Sequence, residues 1–127
     1  MRDQLAELAV TDALTGLGNR RRLADALGDF RLVVAEGPSM RELSERFWTL
    51  GPARTITAFE SYFAEQTRRG VLNLADANHA ARQFQGILLG NFHTQCLLGV
   101  REIPSDEEIE AWVTTAVTRF LDGSREK

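Results

Sequence analysis

The 127-residue chain sets 15 Lys and Arg against 18 Asp and Glu, a net charge of −3, and is 43% hydrophobic. A chain of that size forms one domain with a core of its own, and its ample Leu, Val, Ile and Phe exclude wholesale disorder. The acidic balance weighs against a dedicated nucleic-acid binder, and the lone Cys96 excludes an internal disulfide or a Cys-rich zinc site. With no signal-peptide pattern and no membrane-length apolar run, the expectation is a small soluble cytoplasmic protein.

Residues 2–10 read as a short amphipathic helix with Leu5, Leu8 and Ala9 on one side. Gly16, Gly18 and Asn19 break it, and Asn19 is placed to cap the next helix. That helix carries Leu23, Leu27, Phe30 and Val34 at helical spacing, with a break or kink expected at Gly28. The β-branched pair in RLVVA, 31–35, has no strand elsewhere to pair with, so this stretch also reads as helix, ended by Gly37-Pro38.

Ser39 and Glu42 have capping-box spacing and predict a short third helix with Met40, Leu43, Phe47 and Trp48. Pro52 suits the first turn of a fourth helix bearing Ile56, Phe59 and Phe63, which Gly70 ends near Arg68 and Arg69. Asp76 caps the longest helix, about 77–98. A second capping box, Ser105 and Glu108, starts the last helix. Its stripe is Ile109, Trp112, Val113, Ala116, Val117, Phe120 and Leu121, and Gly123 closes it. The fold class is all-α, a bundle of about five to six helices.

The 77–98 helix is apolar on more than one side, and Gly86 and Gly90 stand one turn apart on it. Two mid-helix glycines are unfavourable unless they admit a close neighbour, and the spacing leaves open whether that neighbour is internal or a second copy. Two such apolar helices favour a homodimer that continues the core. Candidate interface residues are Gly86, Gly90, Leu97, Ile109, Trp112, Val113, Ala116 and Phe120.

The strings FRLVVAEGPSMRELSERFW, GPARTITAFESYFAEQTRRGVLNLADANHAARQF, GILLGNFHTQCLLG and PSDEEIEAWVTTAVTRFL occur in an order that resembles the C-terminal domain of TetR/AcrR-type transcriptional regulators, of the AefR-like group, over about 30–121. The resemblance implies a helical domain that dimerises through its last two helices in a four-helix bundle, with a small-molecule cavity between the earlier ones. LAELAVTDALTGLGNRRRLADAL, within 1–27, instead resembles the start of a GGDEF diguanylate cyclase domain, through Asp12, Leu14, Thr15, Gly16, Leu17, Asn19, Arg20 and Arg21. The metal-binding carboxylates and Gly-Gly hairpin of that family have no counterpart here, so cyclase activity is not expected. The expected division is an incomplete GGDEF-like segment at 1–28, a regulator-type domain at 29–123 and a frayed tail at 124–127. A helix-turn-helix head is not expected in the chain, and hence no direct DNA binding; Arg20, Arg21 and Arg22 read as a solvated face.

No catalytic arrangement emerges, and no enzyme, cofactor or membrane role is expected. His93 and Cys96 at i, i+3 are too few to hold a metal, and His79 lies about 21 Å away along the same helix. The candidate pocket for a small apolar or amphipathic effector comprises Trp48, Phe59, Tyr62, Phe63, Gln83, His93 and Cys96. The expected function is effector binding and homodimerisation in a TetR/AcrR-like regulator. The alternative is a ligand-free interaction module, or a truncated or fused gene fragment with an inactive cyclase remnant.

Overall fold

Local signals set most of the helix ends in the computed structural model, which describes residues 2–11 and 17–125. Among these residues the elements are α1 (Arg2–Thr11), α2 (Arg20–Glu36), a 3-10 turn (Gly37–Ser39), α3 (Arg41–Leu50), α4 (Pro52–Arg68), α5 (Ala77–Leu98) and α6 (Asp106–Ser124). The fold is all-α, as expected. A single isolated bridge, Leu72 to Arg125, is the only β pairing among the described residues.

Asn19 caps α2, its side chain accepting from the Arg22 N–H at 2.9 Å, and Asp76 caps α5 through the His79 N–H at 3.0 Å. Ser105 and Glu108 form the expected capping box at α6. Pro52 opens α4 at its first turn. Gly99 takes the left-handed conformation (φ 76°) that ends α5, its N–H and that of Val100 closing on the Cys96 and Gln95 carbonyls.

The capping box expected at Ser39 and Glu42 does not form. Ser39 belongs to the 3-10 turn, and its hydroxyl donates backward to the Glu36 carbonyl at 3.1 Å. An N-cap needs extended backbone, which that turn denies Ser39; α3 starts two residues later with no side-chain cap. The break expected at Gly28 is also absent. A cost of about 1 kcal/mol is too small to interrupt a helix whose Leu23, Ala26 and Leu27 are buried.

One core runs through the molecule. Leu5 and Ala9 of α1, Leu17, and Leu23 and Leu27 of α2 lie in the same buried cluster as Phe59, Phe63, Phe84, Leu88 and Val117. The packing therefore continues across residue 28, and α1 docks against α4 and α6. Phe59, Phe63 and Phe84 stack edge-on or tilted, with centroids 4.9–6.4 Å apart. Phe120 of α6 closes on Phe63 and Phe84 at 5.0 and 5.1 Å.

Two arginines tie α2 to the later helices. The Arg31 guanidinium donates to the last carbonyls of α5, those of Cys96 and Leu97, where the helix dipole favours a cation. Arg20 donates its main-chain N–H to Asp106 Oδ1 at 2.7 Å and its guanidinium to the Ile103 carbonyl, so it is not a free surface cation. Ser124 and Arg125, expected in a frayed tail, are held in place: the Asn73 N–H donates to the Ser124 carbonyl at 2.7 Å. Residues 126 and 127 of that tail lie outside the described residues.

Gly28 is exposed, helical, and has open space where a Cβ would stand. Gly28→Ala is expected to raise unfolding free energy by about 0.5–1 kcal/mol, read from urea denaturation. No gain would mean that the backbone at Gly28 is not regular helix.

Candidate functional site

The α5–α6 pair carries the most distinctive geometry. Gly90 interrupts α5 with φ 52°, ψ −169°, a conformation open essentially to glycine alone, so the helix is kinked rather than straight. The indole of Trp112 on α6 lies over the break. A Cβ on Gly90 would stand 2.6 Å from Trp112 Cζ2, closer than atoms can pack. The indole N–H donates to the Leu88 carbonyl at 2.7 Å, and the Trp112 ring meets Phe92 edge-on at 5.0 Å. Interrupting a helix frees carbonyls of the preceding turn, and the Trp112 indole satisfies one of them. The close neighbour that Gly90 admits is therefore within the chain.

Gly86 differs. It is exposed, and a Cβ placed on it would meet nothing within 4 Å. Beside it Ile87 is 41% exposed, and across on α6 Trp112 is 37% exposed with Ala111 and Thr115 open to solvent. A groove of about 360 Å³ between Phe92, Arg101, Glu108, Ala111, Trp112 and Thr115 runs along this face, with Arg101 and Glu108 paired at 2.7 Å. Of the other candidate interface residues, Ile109, Val113 and Ala116 are buried inside the bundle, and Leu97 and Phe120 are half-buried against its core. Ile87, Ala111 and Thr115 are exposed here and are not among the residues the sequence singles out. Ile87 borders the buried Phe84–Leu88 stripe, so spacing alone does not set it apart from the core.

The seven candidate pocket residues are not brought together. Phe59 and Phe63 sit in the sealed core, Trp48 is 55% exposed on α3, and Gln83 is on the outer surface of α5. Tyr62 borders a crevice of about 540 Å³ between α1 and α4, with Gln4, Glu7, Leu8, Ser61, Glu65, Gln66 and Arg69. Burial raises the Tyr62 pKa above its usual value of 10.0. His93 and Cys96 lie buried beneath α2, His93 edge-on to Phe30 at 5.6 Å, and Cys96 Sγ approaches the Glu102 carbonyl at 3.7 Å. Burial holds the His93 imidazole below its ordinary 6.5. Among the described residues no group of three or more metal-ligating side chains occurs.

A second crevice, of about 450 Å³, lies on the other side of α1 against α6. Glu7 borders both. Helix α1 is thus flanked by two openings of the size that small molecules occupy.

The family of AefR-like transcriptional repressor C-terminal domains matches residues 19–123. The chain belongs to this family. Among solved structures, a TetR-family transcriptional regulator from Mesorhizobium loti superposes with a TM-score of 0.75 at 22% identity, over 98% of this chain and 68% of that one. The flavonoid-responsive regulator FrrA gives 0.69 at 19% identity, over 99% and 76%. A TetR transcriptional regulator from Agrobacterium tumefaciens gives 0.68 at 26% identity, over 100% and 63%. The first two likenesses speak to fold. No curated protein matches the chain significantly.

The AefR-like match begins ahead of the junction expected near residue 28, and the structural likenesses include α1. None of these findings supports the cyclase-like reading of residues 1–27. Of the residues that carried it, Asp12, Leu14, Thr15 and Gly16 lie outside the described residues, while Leu17, Asn19, Arg20 and Arg21 are parts of the bundle or its helix cap.

Gly90→Ala is expected to cost about 2 kcal/mol or more, from positive-φ strain and the displaced Trp112, and Trp112→Phe about 1 kcal/mol from the lost hydrogen bond. Urea denaturation reads both; a neutral Gly90→Ala would refute the kink. A pH effect follows from His93. Its folded pKa is depressed, so below the ordinary 6.5 the unfolded chain takes up a proton that the folded chain resists. Stability therefore declines as pH falls through that region and levels off below the folded pKa. His93→Gln is expected to shrink the difference between urea midpoints at pH 7.5 and 5.5; an unchanged difference would exclude His93 as its source.

Proposed function

We propose that this AefR-like domain dimerises and binds a small effector within a TetR-type regulator. The observation that carries the reading is the open face of α5 and α6, where Gly86, Ile87, Ala111, Trp112 and Thr115 combine small and apolar residues. Small side chains let helices of a second copy come close, and covering Ile87 and Trp112 removes apolar surface from water. Paired with its two-fold mate, the face forms a four-helix bundle, as the resemblance to such regulators implies. Leu97, Phe120, Ile109, Val113 and Ala116 support it from within the bundle.

An effector enters beside α1, whose two flanking crevices lie between helices that a ligand would spread. Binding is the whole mechanism: a ligand that favours one helix arrangement shifts the population toward it, and the dimer relays that choice to the DNA-reading part of the regulator. That part is not assigned to any described helix. A regulator acts where its gene targets are, which puts the domain in the cytoplasm. Among the described residues no helix is long and apolar enough to cross a membrane. The sealed packing of Phe59, Phe63 and Phe84 favours a second reading, a ligand-free dimerisation module. A thermal-shift screen against small apolar compounds separates the two, since only an effector-binding domain gains stability.

Light scattering is expected to give a mass near twice 14.2 kDa for the wild type. Ile87→Asp, on the exposed face, is expected to weaken the dimer about tenfold or more without loss of helicity. A monomeric wild type, or a variant that dimerises unchanged, would refute this face as the interface.

A further inference from the structure

We propose that α2 governs the dimer face through α5, whose distal half turns about Gly90 and carries Trp112 with it. The proposal rests on the dimerisation reading and adds to it what regulates that face. Residues 91–98 form a span of α5 set apart by the non-helical backbone of Gly90. The span is tied on both sides. His93 meets Phe30 of α2 edge-on at 5.6 Å, and the Arg31 guanidinium donates to the last carbonyls of the span, those of Cys96 and Leu97. On the other side Phe92 meets the Trp112 indole of α6 edge-on at 5.0 Å.

Trp112 is where those ties reach the surface. Its side chain is partly exposed on the face proposed to meet a second copy. Its N–H donates to the Leu88 carbonyl on the near side of the break, and its ring lies where a Gly90 Cβ would stand. One side chain therefore touches both halves of α5, the break between them and the dimer face. The near half is anchored, since Phe84 packs on Phe59 and Phe63 of α4.

Glycine accepts a wider range of φ and ψ than other residues, so a small turn of the distal half is taken up at Gly90. That turn moves Trp112, because Phe92 packs on its ring. Coupling of this kind is reciprocal: the α2 position that favours the dimer is itself favoured by dimerisation. Arg31 is the control point to test. It lies exposed on α2, outside the dimer face, and bonds only main-chain carbonyls at the end of α5.

Two readouts on the whole chain carry the test. One is the dimer dissociation constant from sedimentation equilibrium. The other is tryptophan emission in a Trp48→Phe background, where Trp112 is the one tryptophan left, at a concentration that keeps every variant dimeric. Arg31→Ala is expected to weaken the dimer about three- to tenfold and to shift Trp112 emission to the red. Phe30→Leu, which removes the ring contact with His93, is expected to act in the same direction. Leu72→Ala is the control, a buried residue paired with Arg125 at the far end of α6. It is expected to lower the urea midpoint at least as much and to move neither readout. A wild-type dimer indifferent to both Arg31→Ala and Phe30→Leu would overturn this proposal alone, as would equal changes from Leu72→Ala. A monomeric wild type would remove the dimerisation reading and this proposal together.

Discussion

Everything in this bundle hangs on the contact between the aromatic faces of α4 and α5. Phe59 and Phe63, four residues apart, present two rings along one face of α4, and Phe84 of α5 meets both edge-on at 4.9 and 5.8 Å. Rings of that size each bury a large apolar area, and their edge-to-face geometry adds attraction that flat stacking lacks. Phe120 brings α6 onto the same cluster. With these three helices fixed, α1 and α2 need only supply aliphatic side chains, and Leu5, Leu23 and Leu27 do so. Helix α3, which buries no residue fully, is positioned instead by partial packing such as the Phe30–Phe47 contact.

The same cluster dictates what α5 must do farther along. Its first half follows the Phe84–Leu88 face into the core, whereas its second half must carry Phe92, His93 and Cys96 inward toward α2 and α6. Gly90, with its non-helical φ and ψ, lies between the two halves. The break would leave backbone polar groups without partners, and Trp112 both covers the break and hydrogen-bonds to the Leu88 carbonyl. A bulky side chain on α6 thus requires a missing one on α5. The arrangement leaves part of the indole facing outward, on the surface proposed as the dimer face.

Helix α1 is held differently. It contributes Leu5 and Ala9 to the core and packs against α4 and α6, yet has an opening on either side. Phe59, Phe63 and Phe84 border neither opening. Under the proposed function, an effector seated beside α1 would leave that cluster intact.

The sequence by itself determined the helices, and it did so wherever the deciding interaction was local. Asn19, Asp76, Ser105 with Glu108, and Pro52 each act within one turn of their own position, and the apolar spacing of α4 and α6 names its buried face directly. The AefR-like family was legible for the same reason, since it is a pattern of such segments in order. Only the tertiary structure decided the rest. Ser39 lost its capping role to the turn left by α2, Gly28 proved compatible with an unbroken helix, and α1 joined the common core with the start of α2. Whether Phe59 lines a cavity or seals a core depends on how closely α5 approaches, and Gly86 and Gly90 share a spacing while meeting different surroundings. Spacing along a chain fixes which residues share a face; what that face meets is set by helices far away in sequence.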